Sequence, residues 1–175
     1  YFDESDVYSF LQGPKVRGER DGHGPVNGAS QYVRGNYFGN FGCGLCCMAN
    51  IYSTFSGHTC SPWDMFLYAR EVSGYTPTKK IGAIGWGDMK TVMRKCGFDA
   101  ELYTKPQDYE TFRDQVRSAK SVVVLVSSHD DNTYWKKTGG HYVNISLYKE
   151  DTDEVFLADP ADPDGNRNYI PLRYV

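Results

Sequence analysis

The sequence has no long apolar run and no excess of positive charge. No unbroken apolar stretch is longer than that of Val122 to Val126, which is the size of a strand and far shorter than the roughly 20 residues that a membrane-spanning helix needs. The formal net charge is -3 and no basic cluster stands out, so electrostatics gives no support for nucleic-acid binding. We therefore expect no membrane segment in this chain and no nucleic-acid partner, and the sequence leaves the oligomeric state open.

The cysteines do not form a disulfide pattern. There are five, an odd number, so at least one cannot pair within the chain. Four of them, Cys43, Cys46, Cys47 and Cys60, lie close together in sequence, which is a poor disulfide framework for a domain of 175 residues. The cysteine content therefore leaves the cellular compartment open.

What the sequence does contain is enough apolar material for a packed core. Hydrophobic residues make up 40% of the chain and charged residues 23%, and the length suits one domain over residues 1–175. Aromatic residues reach 15%, and tyrosine often lines grooves as well as cores. Residues 13–42 are rich in glycine, asparagine and charge, and we predict that they form an irregular, loop-rich segment.

The first two thirds of the chain predict helices and the last third predicts strands. Ser61 and Pro62 are typical of a helix start, and Gly97 is typical of a helix end. The predicted helices span residues 44–55, 62–72, 88–95 and 109–119. The predicted strands span residues 121–128, 141–150, 154–160 and 168–175. Helices followed by an apparently antiparallel sheet indicate an α+β fold.

Cys43 is the strongest candidate for a reactive group. It lies between two glycines at the start of the first predicted helix, in the sequence "NFGCGLCC". A helix N-terminus stabilises a thiolate, the reactive form of cysteine, and its free N–H groups can receive a developing oxyanion. Cys46 and Cys47 fall inside the helix, where small buried cysteines that pack as hydrophobic residues are the expected interpretation.

His141 is the candidate base. It follows the pair Gly139 and Gly140 and opens an apolar strand, which is a rigid support for a group that must reach the thiol. Of the four histidines in the chain, His141 alone begins an apolar strand after a glycine pair.

Asp159 is the candidate third member of the site. It ends the next predicted strand, in "VFLADP". If the two strands are antiparallel neighbours, the end of one lies beside the start of the other, and Asp159 can orient His141. The alternative is a strand-ending aspartate before proline, which is common in turns.

These motifs together resemble the C39-like peptidase family, a bacterial branch of the papain-like fold. The resemblance rests on "GCG" before an apolar helix, "GGHYVNI" opening a strand, "VFLADP" closing the next strand, and the helix "IGWGDMKTVMRKCGF" between them. It covers the chain from about Phe10 to Val175. The family pattern continues "GCGPTS" where this chain has "GCGLCC", a departure at the rim of the site that keeps the cysteine.

The resemblance implies a papain-like cysteine proteinase fold and a cysteine hydrolase with a Cys43, His141 and Asp159 triad, with no cofactor or metal. It implies a peptide or peptidoglycan-like substrate and, by analogy, an extracellular or cell-surface location. It also implies a glutamine in the oxyanion hole. Gln12 is the candidate, provided that the segment after it is an insertion, and Asn40 is the alternative.

Three other interpretations remain open at this stage. Cys43 and Cys46 form a C-x-x-C motif at a helix start, as in thiol-redox proteins, although no apolar strand precedes it. Cys43, Cys46, His58 and Cys60 are of the types that bind zinc. A catalytically silent papain-like domain that binds peptide would carry the same residues.

A calcium site is a weaker alternative. "DPADPDGN" offers Asp162, Asp164 and Asn166 as oxygen ligands, but the glutamate that completes a calcium loop is missing at the required distance. We therefore interpret this segment as a polar turn.

Overall fold

The structure is a computed structural model of the chain. Side chains are described for residues 43–56, 58, 60, 62–75, 84–103, 105–126, 134–135, 141–160 and 167–175, and backbone alone for residues 32–33 and 36–37.

The described residues contain four helices followed by a four-stranded antiparallel sheet, which confirms the predicted α+β fold. A small antiparallel pair, β1 and β2, precedes them inside the segment predicted to be irregular. The elements are β1 (Tyr32–Val33), β2 (Asn36–Tyr37), α1 (Cys43–Ser56), α2 (Pro62–Ser73), α3 (Trp86–Lys95), α4 (Tyr109–Ser118), β3 (Ser121–Val126), β4 (His141–Lys149), β5 (Glu154–Ala158) and β6 (Asn168–Pro171).

The C-terminal strand is shorter than predicted. β6 ends at Pro171, and Leu172–Tyr174 form a 3-10 turn instead of continuing the strand to residue 175. The backbone N–H of Leu172 donates to the carbonyl of Asp153, and the side chain of Leu172 is fully buried. The apolar side chains that resemble a strand in the sequence therefore turn into the core.

Helix α3 ends where the sequence predicts, at Gly97. This residue has φ +94°, which favours glycine because it has no Cβ. The N–H of Gly97 donates to Arg94 and that of Phe98 donates to Met93, so the last carbonyls of the helix have partners.

The sheet brings the start of β4 next to the end of β5. Its strand order is β3-β4-β5-β6 with every neighbouring pair antiparallel. His141 pairs with Val126 at one edge, and Asn144 pairs with Ala158 on the other side. Continuing that register by one residue places Asp159 opposite Val143, two residues from His141 on the same strand.

The side chains of β4 alternate between two apolar clusters. Tyr142 belongs to a cluster of buried residues from α1, α2 and α3 that includes Leu45, Phe66 and Val92. Its neighbour Val143 belongs to a second cluster. Each fully buried large apolar side chain contributes about 1.5–3 kcal/mol, so these contacts fix helix α1 firmly against β4.

The second cluster supports the other face of the sheet. It joins Phe112 and Val116 of α4 to Ile145 of β4, Leu157 of β5 and Leu172 of the C-terminal turn. The sheet is thus buried on both faces, which makes it a stiff support for residues at its strand ends.

The end of α3 allows a direct test of the positive φ angle at Gly97. Gly97→Ala places a Cβ on a residue with φ +94°, and we expect it to lower the free energy of unfolding by about 1 kcal/mol. The control is Gly87→Ala in the same helix, where an added Cβ meets nothing within 4 Å. Since alanine favours helix, this control should be as stable as the wild type or more so in urea unfolding. Equal effects of the two changes would contradict the account.

Candidate active site

Cys43 is the first residue of helix α1 and is 8% exposed. The first turn of a helix has N–H groups without partners inside the helix, and the aligned peptide dipoles make this end positive. The residues that follow it, Leu45 to Ala49, are fully buried, because α1 is apolar on most sides and runs through the core. The position therefore combines a fixed sulfur with a local electrostatic preference for negative charge.

His141 and Asp159 form a buried pair. The Nε2 atom of His141 lies 2.7 Å from Oδ1 of Asp159, and the two side chains are 14% and 6% exposed. A hydrogen bond this short between a ring nitrogen and a carboxylate fixes the orientation of the imidazole. Nδ1 is then the ring nitrogen left to face another group.

Cys43 lies close enough to His141 to act on the ring as well, since a side-chain hydrogen bond and the charge of Cys43 both raise the pKa of His141. Burial lowers the pKa of His141, but the hydrogen bonds and charges of Asp159 and Cys43 outweigh burial and raise it to about 9. His141 therefore carries a proton at neutral pH and can donate through both ring nitrogens. The structure thus brings the three sequence-predicted residues together in the order thiol, imidazole, carboxylate.

Two tyrosines lie close to the thiol. Burial, followed by the nearby Cys43 and Cys47, raises the pKa of Tyr142 to about 12. Burial, followed by Cys43 and Asp88, raises the pKa of Tyr75 above its ordinary value. Both hydroxyls stay protonated at neutral pH, so they add no negative charge beside the thiol.

The predicted oxyanion donors lie outside the described residues. Gln12, its alternative Asn40, and the glycines before Cys43 and His141 belong to segments of which the structure describes no side chains. The side-chain donor to an oxyanion therefore stays a prediction.

The zinc interpretation fails on geometry. Cys43 and Cys46 lie at the start of α1, whereas His58 and Cys60 follow its end at Ser56. Cys60 hydrogen-bonds back to Ser53, which lies about 10 Å along the helix from Cys46, so the two pairs of side chains do not converge on one metal ion. Among the described residues, which include all four, no group of three or more histidine, cysteine or acidic side chains is placed to hold a metal ion.

The redox interpretation also finds no support. All five cysteines are free thiols, and Cys46 and Cys47 are fully buried within α1, as expected for small apolar residues. Burial raises the pKa of Cys47 well above its ordinary value, and the nearby Cys43 and Cys46 add to this. A partner disulfide could not reach Cys46 without opening the core. The calcium candidates Asp162, Asp164 and Asn166 lie outside the described residues.

Sequence patterns did not single out the residues that pack beside the candidate active site. Tyr142, Ile84 and Trp86 pack beside the site, but the sequence motifs mark them only as parts of a strand and a helix. The one available signal was position, since Tyr142 directly follows the histidine and Ile84 and Trp86 open the motif "IGWGDM".

A buried apolar helix with a cysteine at its start, packed on an antiparallel sheet that carries a histidine–carboxylate pair, is the papain-like α+β arrangement. Comparison with known families matches residues 26–173 to the Peptidase_C39 like family. The chain belongs to this family, as its motifs indicated. Membership suggests a hydrolase of the cysteine peptidase type. A search of curated proteins found no match.

The sequence predicts no membrane-spanning segment in this chain. In the part of the chain that the structure describes, no helix combines the length and apolar character needed to cross a bilayer.

The His141–Asp159 pair predicts a pH dependence of stability. The folded protein holds the pKa of His141 at about 9, above the ordinary 6.5, so folding favours the protonated ring. This stabilisation is complete below about pH 6.5 and is lost as the pH rises through about 9. Asp159→Asn removes the carboxylate, and we expect the pKa of His141 to fall and this loss of stability to shrink.

Two measurements check this prediction. Histidine NMR titration gives the pKa of His141, and urea unfolding on either side of the interval from pH 6.5 to 9 gives the stability change. Asp151→Asn, an exposed aspartate in the turn after β4, is the matched control and should behave like the wild type. An unchanged His141 titration in Asp159→Asn would contradict the account.

Proposed function

We propose that this protein is a cysteine-dependent hydrolase that cleaves an amide or peptide bond through Cys43, His141 and Asp159. The observation that carries the proposal is the position of His141, which hydrogen-bonds to Asp159 on one side and to Cys43 on the other. A nucleophile, a base and a group that orients the base are the parts that covalent catalysis needs.

The mechanism follows from the protonation of His141. With a pKa of about 9, the imidazole holds a proton at neutral pH and faces the sulfur as a cation, so Cys43 attacks the substrate carbonyl as a thiolate. The bond from sulfur to the carbonyl carbon forms, and the carbonyl becomes a tetrahedral oxyanion. His141 then donates its proton to the leaving amine, and the carbon–nitrogen bond breaks to give a thioester.

Hydrolysis of the thioester uses the same groups. His141, now neutral, removes a proton from water, and the hydroxide attacks the thioester carbon. The carbon–sulfur bond breaks, the acid leaves, and the thiolate–imidazolium pair is restored. Asp159 keeps the ring in place and balances its charge throughout both steps.

The oxyanion would be stabilised at the N-terminus of α1. The backbone N–H groups of its first turn have no partner inside the helix, so they would donate to the negative charge that develops beside Cys43. Gln12 is the proposed side-chain donor, with Asn40 as its alternative, as the family resemblance implies. The proposed substrates are peptides or peptidoglycan cross-links, both of which present an amide carbonyl.

A catalytically silent, peptide-binding domain is the competing function. The observation that favours it is the low exposure of Cys43, at 8%, which leaves little room for a substrate carbonyl. The reactivity of the thiol separates the two functions, since a binding domain has no need of an activated sulfur.

Loss of the sulfur should abolish hydrolysis. We expect Cys43→Ala to reduce the release of fluorophore from a panel of peptidyl aminocoumarins, or of fragments from purified peptidoglycan, to the rate without enzyme. Cys96→Ala is the matched control, because this half-buried thiol follows the end of α3 opposite to Trp86, the end that packs on Tyr142, and it should keep wild-type activity.

Alkylation tests the same function without a known substrate. At neutral pH we expect iodoacetamide to modify Cys43 at least about tenfold faster than Cys60 or Cys96, as followed by peptide mass mapping. Burial, followed by Asp64 and Cys96, raises the pKa of Cys60 to about 11, which makes it a slow internal reference. If Cys43 reacts no faster than this reference, the silent binding domain is the correct function.

A further inference from the structure

The residues next to the proposed nucleophile and the proposed base touch each other. Gly44 follows Cys43, and Tyr142 follows His141. A Cβ added at Gly44 would lie 3.2 Å from Cδ2 of Tyr142 and only 2.8 Å from Cγ2 of Ile84. The absence of a side chain at Gly44 therefore lets the Tyr142 ring approach the backbone of α1 directly beside the thiol.

Tyr142 is held at its other end as well. Its hydroxyl donates to the backbone carbonyl of Ile84 at 3.1 Å, and Ile84 itself is fully buried. The ring of Trp86 packs edge-on against Tyr142, with 4.8 Å between centroids and 86° between planes. On β3, Leu125 pairs with Tyr142 across the sheet. These contacts leave the side chain little freedom to move.

We propose that Tyr142 is a positioning residue that sets the separation of Cys43 and His141 by resting its ring on Gly44 and anchoring its hydroxyl on Ile84. The inference rests on the proposed function, which it deepens by adding a residue that acts through Cys43 and His141. Tyr142 spans from the strand that carries the base to the helix that carries the nucleophile, one residue away from each.

A fixed distance between Cys43 and His141 matters because a proton passes between the sulfur and the imidazole ring only when the two are a suitable distance apart. Displacing reacting groups by about 1 Å can cost a hundredfold in rate. His141 is the first residue of β4, and a strand end is held by fewer ladder contacts than a strand centre. The Tyr142 anchor, 58 residues away in sequence from its acceptor, supplies the missing constraint.

The effect of Cys43 on the pKa of His141, called the coupling below, depends on the distance between the two groups. It therefore reports their separation and requires no substrate. Because Cys43 raises the pKa of His141, the change Cys43→Ala should lower that pKa in the wild type. In the Tyr142→Phe background, which keeps the ring but loses the hydroxyl, we expect the same change to lower the pKa by about half as much or less. Histidine NMR titration of the four proteins gives both values.

The matched control is Tyr148→Phe on the same strand. Its hydroxyl donates to Asp153 at 2.6 Å, so the change also removes one tyrosine hydrogen bond from β4, but six residues farther along. We expect the full coupling between Cys43 and His141 in this background. A loss of stability alone would affect both tyrosine variants, whereas a positioning role affects only Tyr142→Phe.

Gly44→Ala tests the other end of the anchor. Its Cβ would force Ile84 or Tyr142 to move, and we expect the coupling to fall as in Tyr142→Phe, with alkylation of Cys43 about tenfold slower than in the wild type. If this variant does not fold, Tyr142→Phe decides the matter alone.

Full coupling in Tyr142→Phe, or in a folded Gly44→Ala protein, would overturn the inference. Failure of the proposed function has a different signature. In that case the wild type would show no amide hydrolysis and no enhanced alkylation of Cys43, whatever the coupling in the tyrosine variants.

Discussion

The proposed chemistry depends on one contact, that between the thiol of Cys43 and the imidazole of His141. An ordinary thiol at neutral pH is mostly protonated, and an ordinary imidazole is protonated only in part. Neither group alone is therefore reactive enough for the proposed hydrolysis. In the proposed mechanism a proton passes between them, and Asp159, 2.7 Å from the imidazole, supports the charged ring in a buried site where charge–charge interactions are stronger than in water. The helix and the sheet bring these groups together from opposite ends of the sequence.

Burial has two opposing effects at this site. It disfavours a charged imidazole, yet the pKa of His141 still rises to about 9 because Asp159 and Cys43 favour the proton more strongly than burial opposes it. The same burial keeps the neighbouring Cys47 and Tyr142 protonated, so they add no competing negative charge. Beside the proposed nucleophile Cys43, the thiol of Cys47 and the hydroxyl of Tyr142 therefore stay neutral.

The sequence predicted the parts of the fold that local patterns determine. The buried helix after Cys43, the strand after His141 and the end of α3 at Gly97 follow from hydrophobic period and from glycine, and antiparallel pairing then implies that Asp159 meets His141. Contacts between distant segments were not predictable. The Tyr142 hydroxyl on Ile84 requires a tertiary arrangement that no local pattern specifies, and no sequence pattern marked the register shift between Ser146 and Lys149.

A crystal structure of the reduced protein at neutral pH is the most direct test of this account. It should place the sulfur of Cys43 within hydrogen-bonding distance of one ring nitrogen of His141, while the other nitrogen donates to Asp159. A structure in which the sulfur points into the core, away from the imidazole, would contradict the central claim.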